Sequence, residues 1–154
     1  MFDLVVTQTA NTAQPLRLPE YRYGGVGFRG HFDWDDPEKS FFLTSEGLGR
    51  LDGHATRARL CHIGGYSEGN LAGIAVLGHP ENYRFPQPMR IHPNEPFFNF
   101  TPVQLGDMTI EPGSPYIARY RFVTYDGEPD VAKLDRLWRD YAWPPGVTIP
   151  EMEL

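Results

Sequence analysis

Apolar and polar positions alternate with a period of two along much of the chain. Phe2, Leu4 and Val6 share one face of Phe2–Thr9. Tyr116, Ala118, Tyr120, Phe122 and Thr124 share one face of Tyr116–Tyr125, and Ile117, Arg119, Arg121, Val123 and Tyr125 share the other. Successive side chains of an extended chain point to opposite sides, so this alternation predicts strands. His54–Ile63 is expected to be a third, with Arg57 and Arg59 on one face. Further extended pieces are expected at Leu16–Pro19, Tyr21–Arg29, Phe41–Ser45, Phe97–Leu105 and Asp107–Glu111. Leu71–Leu77 is almost wholly apolar or small, the mark of a strand buried on both faces.

One segment changes period. Val131, Leu134, Leu137, Trp138 and Tyr141 recur at helical spacing, which predicts an amphipathic helix over about 130–142. Asp130 is its expected N-cap and Pro144-Pro145 its stop. The pattern implies an all-β fold: an antiparallel β-sandwich of eight to ten strands with one C-terminal helix over an open sheet edge or end. Residues 1–143 form one domain in this reading, and 144–154 an extended tail.

Composition supports the strand-and-turn reading. The chain of 154 residues carries 16 Gly, 15 Pro and 14% aromatic residues, which suits many turns and aromatic strands. Glycines 24, 25 and 27 inside a strand pattern suggest a bulge, or close approach by another backbone or a ligand. The net charge of −6 argues against nucleic-acid binding, which relies on clustered cations. No apolar run is long enough for a transmembrane helix, and the N-terminus lacks the features of a signal peptide, so the chain is expected to be soluble. The single cysteine, Cys61, excludes an internal disulfide and a cysteine-based zinc cluster, and it reads as a buried structural thiol.

Candidate chemistry concentrates in Gly78–Pro96, a proline-studded loop after the buried strand, and in the aromatic run Phe97–Phe100. The loop brings His79, Asn82, Arg84, Arg90 and His92, and Asn99 follows. Aromatic faces beside Arg, Asn and His are what a sugar site needs, stacking on C–H patches and fixing hydroxyls. The same inventory would serve a protein interface. Asp33, Asp35 and Asp36 lack the Gly and Glu of a calcium loop, and histidine spacing is poor for zinc. No metal or cofactor is therefore expected.

Several stretches also show a family likeness: Tyr23–Arg29 (YGGVGFR), Thr44–Gly47 (TSEG), Ala72–Pro86 (AGIAVLGHPENYRFP), Pro96–Phe100 (PFFNF) and Tyr120–Gly127 (YRFVTYDG). Together they resemble a bacterial family labelled PmoA-like. His79, Pro80, Asn82, Arg84 and Pro86 form the most specific part. The label is not evidence of methane chemistry, because the membrane helices and metal-ligand set of a membrane methane monooxygenase subunit are missing. The resemblance implies a β-sandwich akin to the galactose-mutarotase-like supersandwich and a carbohydrate-related role.

Members are usually about twice this length, so the chain looks like the C-terminal half of the pattern. An unpaired edge or exposed face near Phe2–Thr9 is then expected, covered by a second copy or a partner chain. By the mutarotase likeness, His92 or His79 would be a general acid, and Glu46 or Glu111 the base. Arg57, Arg59, Asn82, Arg84, Arg90 and Asn99 would bind the sugar. The alternative is a non-catalytic structural or oligomer-interface domain.

Overall fold

A computed structural model describes residues 1–148. Ten strands and one helix follow in chain order: β1 (Phe2–Gln8), β2 (Leu16–Leu18), β3 (Gly27–Arg29), β4 (Ser40–Thr44), β5 (Leu60–Ser67), β6 (Asn70–Gly78), β7 (Met89–Ile91), β8 (Phe97–Phe100), β9 (Met108–Ile110), β10 (Tyr116–Asp126) and α1 (Val131–Ala142). The strands form an antiparallel five-stranded sheet, β1-β10-β6-β5-β4, a three-stranded sheet, β3-β8-β7, and the ribbon β2-β9. The fold is an all-β sandwich with a single C-terminal helix.

The layers follow from which face of each strand is apolar. Cys61 and Ile63 of β5, Ile74 and Val76 of β6, and Ala118, Tyr120 and Phe122 of β10 point inward. They meet Met89 and Ile91 of β7 and Phe98 and Phe100 of β8 in one core. Cys61 is fully buried and its thiol is pushed up by burial, as expected of a structural thiol. The opposite face of the large sheet offers Leu60, Ala75, Leu77 and Val123 to Leu134, Trp138 and Tyr141 of the helix. Asp130 accepts a hydrogen bond from the Lys133 amide at 2.9 Å, the capping role its position predicts. Trp138 donates Nε1–H to the Gly78 carbonyl at 2.9 Å.

Several boundaries differ from the sequence reading, each for a local reason. The helix lies on the face of the large sheet rather than over an edge, because its apolar stripe matches the outward residues of β5, β6 and β10. Strand β1 therefore remains an edge, paired with β10 alone among the described residues. The strand expected at His54–Ile63 begins only at Leu60 and runs to Ser67. Residues Gly64–Ser67 pair with β6, and the turn is Glu68-Gly69, both at positive φ.

Of Tyr21–Arg29 only the last three residues are strand. At Gly25 an added Cβ would lie 1.9 Å from the Phe100 carbonyl oxygen, so backbone passes close to backbone there. Strand β8 stops at Phe100, and Pro102 opens a 3-10 turn instead of extending it. Residues 144–148 have no regular secondary structure, and the rest of the expected tail, 149–154, lies outside the described residues.

Candidate functional site

The loop after β6 folds back on its own scaffold. Asn82 is buried, and its side chain completes a strand-like pair with Arg119: Nδ2 donates to the Arg119 carbonyl at 2.8 Å, and Oδ1 accepts from the Arg119 amide at 2.7 Å. Arg84 donates to three carbonyls, those of Pro102 and Gly106 at 2.7 Å each and of Asp107 at 3.1 Å. Arg57 reaches the carbonyls of Pro86 at 2.6 Å and Arg84 at 3.1 Å. Gln87 donates to the Tyr83 carbonyl and accepts from the Tyr120 hydroxyl. A loop this irregular leaves many backbone groups without a ladder partner, and these side chains take the ladder's place. Their capacity is used within the fold.

The other expected residues have separate neighbours. Arg59 pairs with Asp135 at 3.0 Å and lies over the Trp138 ring, tying β5 to the helix. His79 accepts the Glu81 amide on Nδ1 and sets its ring edge-on to Tyr141 at 5.1 Å. His92 accepts the Glu95 amide on Nδ1 at 3.0 Å and caps the turn before β8. Glu46 is exposed and accepts from the Ser45 hydroxyl. Among the described residues no hydrogen bond or ion pair joins any two of His79, His92 and Glu46, nor either histidine to Glu111. Asp33, Asp35 and Asp36 are partnered by Ser67, Arg29 and the Glu38 amide respectively. No cluster of three or more His, Cys, Asp or Glu suited to a metal occurs among the described residues.

Arg90 and Asn99 come together. Met89 and Ile91 point into the core, so Arg90 between them points out; Phe98 and Phe100 do the same for Asn99. Register sets Arg90 opposite Asn99, and Asn99 opposite Gly27. On the other side of β7 the Ala55 amide donates to the Met89 carbonyl and the Met89 amide to the Thr56 carbonyl, which brings His54 alongside. Arg90 donates from Nη1 to His54 Nε2 at 3.0 Å. Desolvation, and then the Arg90 charge, holds the His54 pKa below its ordinary value. The imidazole is therefore neutral at neutral pH, and accepting at Nε2 leaves its proton on Nδ1.

Two atoms of this row stand apart. Arg90 Nε–H and Asn99 Oδ1 are both buried and have no hydrogen-bond partner among the described residues. Leaving such a group unmatched costs about 1–3 kcal/mol. One is a donor and the other an acceptor, on directly opposed residues. Arg90 also has no carboxylate partner among the described residues. Tyr23 lies by the row, its ring centroid 5.6 Å from the Arg90 guanidinium and 6.1 Å from the Phe97 ring. The result is a charged fork, an amide oxygen, an imidazole N–H and two aromatic rings on the outer face of the small sheet.

The sequence had marked Arg90 and Asn99 but not His54 or Tyr23 as site residues. Tyr23 opens the glycine run that signalled close approach. His54 was hidden because the expected strand through it does not form. Trp34, His62, Gln104 and Tyr125 also carry unmatched buried atoms, and His62 is a core residue: it is fully buried between Phe41 and Tyr125, and an added Cβ on Gly73 would lie 2.3 Å from its Nε2. Burial lowers its pKa to about 4, so it is neutral in the folded protein.

Residues 1–139 match the family described as a family of unknown function, DUF6807. The chain belongs to the DUF6807 family. Searches of curated proteins and of solved structures found no match. No helix among the described residues is long and apolar enough to cross a membrane.

Proposed function

We propose that this DUF6807 member binds a carbohydrate on the outer face of the small sheet, with Arg90, Asn99 and His54 as polar contacts and Tyr23 and Phe97 as stacking faces. The observation that carries the reading is the opposed pair of unmatched atoms, Arg90 Nε–H and Asn99 Oδ1. A hydroxyl can accept from an Nε–H and donate to an amide oxygen, so a polyhydroxylated ring offers a partner to each; both atoms are buried, so binding requires the side chains over them to shift. The charge of Arg90, which lacks a carboxylate partner among the described residues, favours a sugar that itself carries a carboxylate, such as a uronic acid, through a charge-assisted contact. The PmoA-like resemblance, with its carbohydrate-related role, agrees with this ligand class.

Binding is a better description than mutarotase-type catalysis. General acid–base chemistry on one ring needs both groups within hydrogen-bond reach of it, and His79, His92 and Glu46 have separate neighbours. The test is calorimetric titration with a panel of neutral and acidic mono- and oligosaccharides. Saturable heat with a uronic acid, weakened at least tenfold in Tyr23→Ala, is the expected result. No heat across the panel overturns the reading.

A second reading, assembly through β1, has its own observation. This strand of seven residues is an edge, with Phe2 and Val5 more than half exposed, and such edges pair readily with a second chain. Sedimentation should then show a dimer that Val5→Lys dissociates; a monomer at micromolar concentration removes this reading.

A further inference from the structure

A cavity of about 370 Å³ lies between the large sheet and the β2-β9 ribbon. Val6 and Ala118 belong to one wall; Leu18, Val103 and Met108 to the other. The cavity opens to solvent along Gln8, Pro19 and Tyr21, and its volume falls in the range of small-molecule pockets. We propose that it is a second binding site, which meets the Arg90–Asn99 face at Tyr23 and otherwise has its own lining, for a neutral apolar molecule of about two fused or linked rings.

Three observations define the ligand. No side chain lining the cavity carries a formal charge, so a charged ligand would lose its hydration with nothing to replace it. The polar groups present are the Gln8 amide and the hydroxyls of Tyr21, Tyr23, Tyr116 and Tyr120. The Tyr120 hydroxyl is already donated to Gln87 Oε1 at 2.5 Å, and the Tyr116 hydroxyl bonds to the same pair, which leaves Gln8, Tyr21 and Tyr23 to meet one hydroxyl or carbonyl on the ligand. Size follows by scaling: a dry cavity of about 150 Å³ takes one benzene, so this one suits roughly fifteen non-hydrogen atoms. Tyr21, more than half exposed, lies in the lining and marks a solvent-facing side.

The site differs in character from the proposed sugar face, where a guanidinium with no carboxylate partner among the described residues favours a negative charge. The two therefore separate by ligand charge, and either can fail without the other.

The probe is N-phenylnaphthylamine, a neutral apolar fluorophore, compared with its anionic counterpart, anilinonaphthalene sulfonate. The wild-type protein should brighten the neutral dye saturably at one dye per chain, with the sulfonate about tenfold weaker or more. Val103→Trp and Leu18→Trp fill the cavity from its inner wall and from a less buried position, and each should abolish the response while circular dichroism and Tm report a folded protein. Leu18 is only half-buried, so its variant keeps the test available if Val103→Trp does not fold. Phe32→Ser removes the most exposed phenylalanine elsewhere and should change nothing. A response that does not saturate, that survives in a folded filled variant, that vanishes in Phe32→Ser, or that is equal for both dyes overturns the proposal.

Discussion

Asn82 and Asn99 are both asparagines and both are 3% exposed, the first in the loop after β6 and the second within β8. Asn82 matches its donor and its acceptor to the backbone of Arg119. Asn99 donates to the Thr101 hydroxyl at 2.6 Å and leaves its oxygen unmatched. The same contrast separates Arg84, which binds three carbonyls, from Arg90, whose Nε–H binds nothing. Residue type and burial therefore do not distinguish a scaffold from a site in this chain. The hydrogen-bond inventory does: the polar groups of the 82–87 loop hold the fold, and the Arg90–Asn99 row keeps one donor and one acceptor unmatched among the described residues.

The contrast has consequences that differ in size. Asn82→Ala removes two bonds and strands the Arg119 amide, while the Arg119 carbonyl keeps the His79 amide at 3.2 Å, so it should destabilise the protein by about 3 kcal/mol, from ~1–3 kcal/mol for the stranded group and ~1 kcal/mol for the lost second bond. Urea unfolding measures this, and a loss below about 1 kcal/mol would mean that Asn82 is not structural.

The next effect is on pH. His62 is neutral when folded, with a pKa near 4, against about 6.5 in an unfolded chain. Its contribution is thus fully present above pH ~6.5 and declines as pH falls toward ~4, by about 1.4 kcal/mol per unit. Unfolding curves between these limits should show that slope, and His62→Gln should flatten it. An unchanged slope would place the titration elsewhere.

Asn99→Ala and Arg90→Leu should be the mildest for stability, within about 1 kcal/mol of wild type, because each removes an unmatched polar atom along with its contacts. A loss from Asn99→Ala as large as that from Asn82→Ala would erase the distinction between the two asparagines.

Much of the architecture was legible because it rests on local periodicity. The alternation in Phe2–Thr9 and Tyr116–Tyr125 and the helical spacing of Leu134, Trp138 and Tyr141 each map onto one element. What local pattern could not show is where backbone pairs at a distance. His54 lies beside β7 through bonds to Met89, more than thirty positions away, and β7 itself is three residues among prolines, too short to signal itself. The candidate site was half legible for the same reason. Types and approximate positions of Arg90 and Asn99 could be read, but their opposition depends on register. Whether Arg84 or Arg90 has a free donor depends on carbonyls from segments distant in sequence.

The most direct test of the central claim is to follow side-chain N–H signals by two-dimensional NMR while a uronic acid is titrated in. The account predicts that the Arg90 Nε–H and Asn99 amide signals shift saturably together, while the Asn82 amide signals stay in place. Movement of the Asn82 signals with those of Arg90 and Asn99 unmoved, or no shift in any of them at saturating sugar, would contradict it.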